Sequence, residues 1–136
     1  MRSVLFLCVA NSARSQMAGG LARRLLDDGV TVQSAGSRPA TLQPLAVAVM
    51  AEIGIDISGH ASKSVDEIDL SAIDTVVTLC AEEVCPVLPE KARRLHWPID
   101  GPAKSVAGEA EARSLALFRA ARDRILARVK DLARSI

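Results

Sequence analysis

The beginning of the chain places a short apolar run directly before a polar turn and a helical pattern. Residues Ser3 to Cys8 read Ser-Val-Leu-Phe-Leu-Cys, which is typical of a strand buried on both faces of a parallel sheet. A polar segment follows at residues 11–15. Apolar side chains then recur at helical spacing, at Met17, Leu21, Leu25 and Leu26. This order predicts a buried strand, a tight loop and a helix, which together open an α/β fold.

The same alternation continues through the rest of the chain. Apolar runs predict two further strands, at Val30–Ser34 and Asp74–Leu79, and we expect a short fourth strand at Arg93–His96. Helical patterns predict further helices at Pro44–Ile53, Val65–Ala72 and Glu109–Ser135. Such alternation favours a parallel sheet with helices on both faces. We therefore expect an α/β fold in one domain of residues 1–136, a three-layer sandwich whose four-stranded parallel sheet is flanked by helices.

Charge and cysteine content argue against several classes of protein. With 17 basic and 16 acidic residues, the net charge of +1 disfavours a nucleic-acid clamp or a polybasic membrane surface. No apolar stretch approaches the roughly 20 residues of a membrane helix. The 3 cysteines are an odd number, and no histidine lies at zinc-like spacing from them. We therefore expect no metal, no cofactor, no membrane or nucleic-acid partner, and reduced thiols in the cytoplasm.

Two of the cysteines stand at the ends of predicted strands. Cys8 ends the first strand, and Cys80 follows the third. Parallel α/β sheets bind ligands beyond the carboxyl ends of their strands, so both thiols are expected at one rim of the sheet.

The loop from Cys8 to Arg14 has the features of an oxyanion cradle. A turn between a strand and a helix can aim several backbone N–H groups at one point, and the helix adds the positive end of its dipole. Arg14 adds a planar, two-pronged donor for two oxygens. The predicted oxyanion-binding residues are Val9, Ala10, Asn11, Ser12, Ala13 and Arg14.

The same surroundings favour the thiolate form of Cys8, which would attack the bound anion in line. The hydroxyl of Ser15, or of Ser12, would donate a hydrogen bond to that thiolate. The alternative interpretation is a buried structural cysteine at a strand end, with Arg14 as a surface cation. The position of the motif between a buried strand and an amphipathic helix favours the catalytic interpretation.

The motif Leu-Phe-Leu-Cys-x-x-Asn-Ser-x-Arg-Ser-Gln-Met-Ala at residues 5–18 resembles the signature of the low-molecular-weight tyrosine phosphatases and of the arsenate reductases built on the same fold. Further segments resemble the arsenate reductase branch, namely Ser34–Gly36, Ile55–His60, Val76–Cys80, His96–Trp97 and Gly101–Ala103. The resemblance covers nearly the whole chain and implies a four-stranded parallel sheet with flanking helices.

The resemblance also implies an arsenate reductase that passes electrons through three thiols. Cys8 would attack arsenate, Cys80 would attack the sulfur of Cys8 in the adduct, and arsenite would leave with the electron pair. Cys85 would then receive the disulfide, and thioredoxin or a similar reductant would reduce the Cys80–Cys85 pair. The expected ligand is arsenate, with phosphate or sulfate as competing anions.

The sequence departs from the family pattern in three places. The usual general acid is an Asp directly before a Pro, whereas here Gly101 separates Asp100 from the proline. Asp100 is the expected acid, after a small shift of the loop. The segment between Cys80 and Cys85 is shorter than in these relatives. Lys63 stands where some relatives carry an acidic residue of a cation site.

Two other functions compete with arsenate reduction. A low-molecular-weight tyrosine phosphatase would need only Cys8 and Arg14, but the chain contains no Tyr to grip a phenyl ring and lacks the Asp-Pro pair. A non-catalytic oxyanion sensor or redox-responsive binding partner would keep the reactive thiolate without turnover of any substrate.

Overall fold

The computed structural model describes residues 3–8, 13–26, 29–36, 42–79, 93–97 and 111–134. Within these ranges the strands are β1 (Ser3–Cys8), β2 (Thr31–Gly36), β3 (Thr75–Thr78) and β4 (Arg93–His96). The α-helices are α1 (Arg14–Leu25), α2 (Pro44–Ala51) and α3 (Glu111–Arg134). Two short 3₁₀ segments, Val65–Glu67 and Leu70–Ala72, lie between α2 and β3.

The strands form one parallel sheet in the order β2-β1-β3-β4, which confirms the predicted fold class. In its register Cys8 pairs with Gly36, and Leu7 pairs with Thr78. The carboxyl ends of the strands therefore meet at one edge of the sheet, with the end of β1 between those of β2 and β3.

The described α-helices and the 3₁₀ segments cover different faces of the sheet. On one face, side chains of α1, α2 and α3 pack with the even-numbered β1 residues Val4 and Phe6. On the other face, Leu5 and Leu7 pack with Val76 and with residues of the segment that holds the 3₁₀ turns. Because layers cover both sides of the sheet, every residue of β1 is buried, as its continuous apolar sequence predicted.

The predicted helix at Val65–Ala72 is wrong in its type. Ser64 begins a capping box with Glu67, but Ile68 adopts an extended backbone with φ −97° and ψ 132°. The extended residue ends the first 3₁₀ turn, and both Val65 and Ile68 pack toward the sheet.

Strand β2 is longer than predicted. Ala35 and Gly36 were expected to end it, yet both lie in the strand and pair with Leu7 and Cys8 of β1. The partner strand supplies hydrogen bonds that extend β2 past its own apolar pattern.

Glycines 19 and 20 of α1 differ in how closely other side chains approach them. At Gly19, an added Cβ would lie 3.7 Å from the Cβ of Ser34 on β2, which is ordinary contact. At Gly20, an added Cβ would lie 2.8 Å from Cγ2 of Ile57. The close approach is therefore at Gly20, and it is to the segment after α2 rather than to the sheet.

Candidate active site

The thiol of Cys8 and the hydroxyl of Ser15 lie together at the carboxyl end of β1. The two atoms, Sγ and Oγ, are 3.0 Å apart. Cys8 is 2% exposed and Ser15 is completely buried. A buried hydroxyl this close to a sulfur can donate a hydrogen bond to the thiolate.

Arg14 is the first residue of α1, and its side chain is largely buried. Its Nη1 donates a hydrogen bond to the carbonyl oxygen of Leu79, over 3.2 Å. Leu79 follows β3 directly, and its own N–H donates to the carbonyl of Leu7 over 2.8 Å. The guanidinium is thus held at the edge of the sheet where β1 and β3 end, and Arg14 is not the surface cation of the alternative interpretation.

The amino end of α1 carries positive charge that its own first turn does not balance. Ala13 is the N-cap residue and has no side-chain acceptor, and no acidic residue lies in the first turn. The helix dipole places partial positive charge at this end, and the guanidinium of Arg14 adds to it. Proteins normally place carboxylates there, so this arrangement is suited to an external anion.

The ends of β3 and β4 are joined by contacts that the sequence did not reveal. Oγ1 of Thr78 lies 2.7 Å from Nδ1 of His96, and the N–H of Trp97 donates to the carbonyl of Thr78 over 2.8 Å. The ring of Trp97 packs on Phe6, with centroids 5.9 Å apart. Trp97 is therefore a core residue.

The described part of the chain thus brings together Cys8, Ala13, Arg14 and Ser15. The other predicted site residues lie outside the described residues, namely Val9, Ala10, Asn11, Ser12, Cys80, Cys85 and Asp100. Sequence reasoning missed the carbonyl of Leu79 as a partner of Arg14. No sequence signal could have found it, because every residue type carries a backbone carbonyl.

The described residues contain no group of three or more His, Cys, Asp or Glu side chains placed to hold a metal ion. Lys63, at the position compared with a cation site, accepts a hydrogen bond from the N–H of Gly36 through its backbone carbonyl, over 2.9 Å. Among the helices described, none has the length and apolar character needed to span a membrane.

Comparison with known proteins identifies close relatives along the whole chain. Residues 3–136 match the sequence profile of the family described as low molecular weight phosphotyrosine protein phosphatase. The arsenate reductase of Halalkalibacterium halodurans is 45% identical over 132 residues, which cover 96% of this chain and 94% of that protein.

Solved structures of arsenate reductases are also similar to this chain. An arsenate reductase in its phosphate-binding state superimposes with a TM-score of 0.84 at 34% identity, and the match covers 100% of this chain and 99% of that one. The thioredoxin-dependent arsenate reductase of Corynebacterium glutamicum has a TM-score of 0.76 at 31% identity. That match covers 99% of this chain and 61% of the Corynebacterium chain.

Proposed function

The chain belongs to the low molecular weight phosphotyrosine protein phosphatase family, and we propose that within this family it is an arsenate reductase. The observation that carries the proposal is the 45% identity to an arsenate reductase over 96% of the chain. The chemistry is supported by the 3.0 Å pairing of Cys8 with Ser15, beside Arg14 at a helix start whose first turn has no acidic residue. This arrangement places a nucleophile, a donor to its thiolate and an anion-attracting field at one point.

In the first step, the Cys8 thiolate attacks the arsenic atom of arsenate. An As–S bond forms, an As–O bond breaks, and the departing oxygen leaves as water once it is protonated. Arg14 and the N–H groups at the start of α1 hold the remaining oxygens and stabilise their charge. The loop residues Val9 to Ala13 are proposed to complete this cradle.

In the second step, the Cys80 thiolate attacks the sulfur of Cys8. The S–S bond forms as the As–S bond breaks, and its electron pair stays on arsenic, which leaves as arsenite. The two thiols are oxidised to one disulfide while arsenic(V) is reduced to arsenic(III). The hydroxyl of Ser15 stabilises the Cys8 thiolate when it attacks arsenate. It does so again in the third step, when Cys8 leaves the disulfide as a thiolate.

In the third step, Cys85 attacks Cys80, which restores Cys8 and moves the disulfide to the Cys80–Cys85 pair. A dithiol protein of the thioredoxin type then reduces this pair. Support for that partner comes from the similarity to a thioredoxin-dependent arsenate reductase. A chain that works through three reduced thiols is suited to the cytoplasm, and this is the compartment we propose.

Asp100 is proposed as the acid that protonates the oxygen leaving arsenic. Its separation from Pro102 by Gly101 departs from the family pattern, in which the acid stands directly before a proline. Replacement by Asn should slow hydrolysis of a phosphate ester, whose leaving group needs a proton, more than it slows arsenate reduction. Equal rates of ester hydrolysis for both forms would remove Asp100 from the mechanism.

The test is arsenate-dependent oxidation of NADPH with thioredoxin and thioredoxin reductase present. We expect turnover by the wild type and its loss in Cys80→Ser and in Cys85→Ser. Hydrolysis of p-nitrophenyl phosphate serves as the internal control, because it requires Cys8 but neither of the other thiols. Both serine variants should keep it, and Cys8→Ser should lose both activities.

The second candidate function is a tyrosine phosphatase, and the family profile itself favours it. The described geometry of Cys8, Arg14 and Ser15 suits a phosphoryl group as well as arsenate, since both are tetrahedral oxyanions. The assay above separates the two. Ester hydrolysis without arsenate-dependent NADPH oxidation would assign the phosphatase, and unchanged cycling of Cys85→Ser with thioredoxin would refute the three-thiol relay.

A further inference from the structure

A second concave site lies beside the carboxyl-terminal half of α1. It is a surface cavity of about 260 Å³ whose polar lining consists of Arg23, Arg24, Asp56 and His60, with Ile55 and two glycines beside them. We refer to this cavity as the α1 pocket. Arg23 is nine residues beyond Arg14, which at 1.5 Å per residue is about 14 Å along the helix axis. The pocket is therefore separate from the Cys8 site.

The two arginines of the α1 pocket are held in place by backbone carbonyls. Nη1 of Arg24 donates to the carbonyl of Gly54 over 2.9 Å, and Nη2 of Arg23 donates to the carbonyl of Val32 over 3.3 Å. A guanidinium has five N–H donors, so these anchors leave donors on both side chains for a ligand. Anchored guanidiniums are also pre-organised, which lowers the entropy cost of binding.

The positive charge of the α1 pocket has no carboxylate partner among the described residues. Two arginines of α3 differ, since Arg119 and Arg122 both pair with Glu52. Among the described residues that line the pocket, the one carboxylate is that of Asp56, which accepts hydrogen bonds from the N–H and the hydroxyl of Ser58, over 2.8 and 2.6 Å. Burial against its neighbours lowers the pKa of Arg23, as expected for a cation that lacks a counter-ion.

His60 also lines the α1 pocket and contacts one of its two arginines. Nη1 of Arg23 lies 3.1 Å from Nε2 of His60, and because a guanidinium can only donate, Nε2 is the acceptor. Burial and the nearby charges of Arg23 and Lys63 lower the pKa of His60, and Asp56 opposes them. These surroundings favour the neutral form of the ring. A bound anion would favour its protonation, which would also release the N–H of Arg23 toward the ligand.

We propose that the α1 pocket binds a small tetrahedral oxyanion, either inorganic or at the end of a short organic molecule. Two anchored guanidiniums can each present paired N–H groups to such an oxyanion. The cavity is smaller than the usual pocket of a drug-sized ligand, so the organic part is limited to a few atoms beside Ile55. The site goes beyond the proposed function, because it uses none of the residues of the Cys8 site.

Nuclear magnetic resonance of the full chain tests this proposal with two probes, sulfate and ethylphosphonate. Sodium chloride at equal ionic strength is the reference. We expect saturable shifts of the Gly54 and His60 amide signals, with a dissociation constant different from that of the Cys8 and Ser15 signals. Tighter binding of ethylphosphonate would assign an organic ligand, and tighter binding of sulfate an inorganic one.

Matched charge variants show whether the saturable shifts arise from binding in the α1 pocket. Arg24→Gln should weaken binding at the pocket signals about tenfold or more, because it removes a charge-assisted hydrogen bond. Arg128→Gln on the exposed face of α3 removes the same charge elsewhere and should leave both sites unchanged. Shifts that match those in chloride, or that persist in Arg24→Gln, would overturn the proposal.

The protonation of His60 in the wild type gives a test that needs no variant. Sulfate keeps its charge across the range from about pH 5.5 to pH 8 in which histidine titrates. We expect sulfate to raise the pKa of the His60 ring and to bind more tightly at the lower pH, whereas chloride should do neither. An unchanged titration curve of His60 in saturating sulfate would also overturn the proposal. Neither result bears on the Cys8 chemistry.

Discussion

At the scale of single residues, Ser15 has the clearest role that can be tested. Its hydroxyl is completely buried and lies 3.0 Å from the sulfur of Cys8. A hydrogen bond to a charged group contributes about 1.5–3 kcal/mol, so Ser15→Ala should lower kcat roughly ten- to a hundredfold. The measurement is steady-state arsenate reduction. Ser71→Ala is the control, because Ser71 is an exposed serine that bonds only locally to Asp69. An unchanged kcat in Ser15→Ala would show that the thiolate does not depend on this donor.

Gly20 provides a second prediction at this scale. An added Cβ would lie 2.8 Å from Cγ2 of Ile57, a β-branched side chain that is itself completely buried. Gly20→Ala should therefore destabilise the protein. The overpacking costs about 1–3 kcal/mol. The better helix propensity of alanine offsets about 1 kcal/mol of that cost.

The neighbouring glycine is the matched control for Gly20. At Gly19 the nearest atom to an added Cβ is 3.7 Å away, so Gly19→Ala should stabilise α1 by up to about 1 kcal/mol. Urea unfolding of the two variants measures both effects. Equal changes of the same sign would show that Ile57 moves aside and that the close approach has no structural consequence.

At the scale of elements, α2 and α3 are joined by a network of charges around Glu52. Its carboxylate accepts from Arg119 over 2.7 Å and from the largely buried Arg122 over 2.8 Å. Arg122 also donates to the carbonyl of Val49 over 2.8 Å. Hydrogen bonds from Arg119 and then from Arg122 lower the pKa of Glu52 to about 2.

This network makes the stability of the fold depend on pH. A carboxyl group whose pKa is lower in the folded state stabilises the protein above its unfolded pKa, and the contribution is lost as the pH falls toward the folded value. For Glu52 the window runs from the ordinary value of 4.5 down to about 2. Glu52→Gln should lower Tm at neutral pH, and its difference from the wild type should shrink as the pH falls through that window.

Thermal unfolding of both forms from neutral pH to about pH 2 checks this prediction. Asp131→Asn is the control, since it removes one carboxylate from an exposed i,i+3 pair with Arg134. Exposed pairs of this kind contribute little, so this variant should follow the wild type. A constant Tm difference between Glu52→Gln and the wild type at every pH would contradict the assigned role of Glu52.

At the scale of the whole molecule, the proposed relay predicts a count of thiols. The reduced chain has 3 cysteines, and one turnover without reductant should leave a single titratable thiol, because Cys80 and Cys85 end in a disulfide. In Cys85→Ser the same treatment should leave none, since the disulfide stops at Cys8 and Cys80. Thiol titration after denaturation gives the numbers, and phosphate in place of arsenate is the control. Three remaining thiols after arsenate would exclude the relay.

Much of the fold could be predicted because short-range patterns reflect burial. The apolar run of β1 predicted a strand covered on both faces, and the helical spacing after residue 13 predicted α1. The limits of Arg93–His96 were also predicted correctly. The prediction failed where a partner decided the outcome, as in β2, which Leu7 and Cys8 of β1 extend to Gly36.

The residues of the candidate site also fall into two groups, those predicted from short-range spacing and those that rest on the resemblance. The proposed nucleophile, guanidinium and serine hydroxyl were predicted from their spacing, because Cys8 ends a strand and Arg14 and Ser15 begin the helix that follows. The proposed roles of Cys80, Cys85 and Asp100 remain predictions from sequence and resemblance. The family, and the α/β class of the fold, are confirmed by the relatives and by the parallel sheet.

By itself, the sequence determined the order of the elements and the family, because these depend on residue types at short separations. Only the tertiary structure decided which groups hold Arg14, which carboxylate joins α2 to α3, and which arginines share a cavity with His60. Those contacts connect residues 65, 70 and 37 positions apart. Periodic patterns in the sequence do not reveal contacts between residues so far apart. The packing of the whole sheet and its helices brings these residues together.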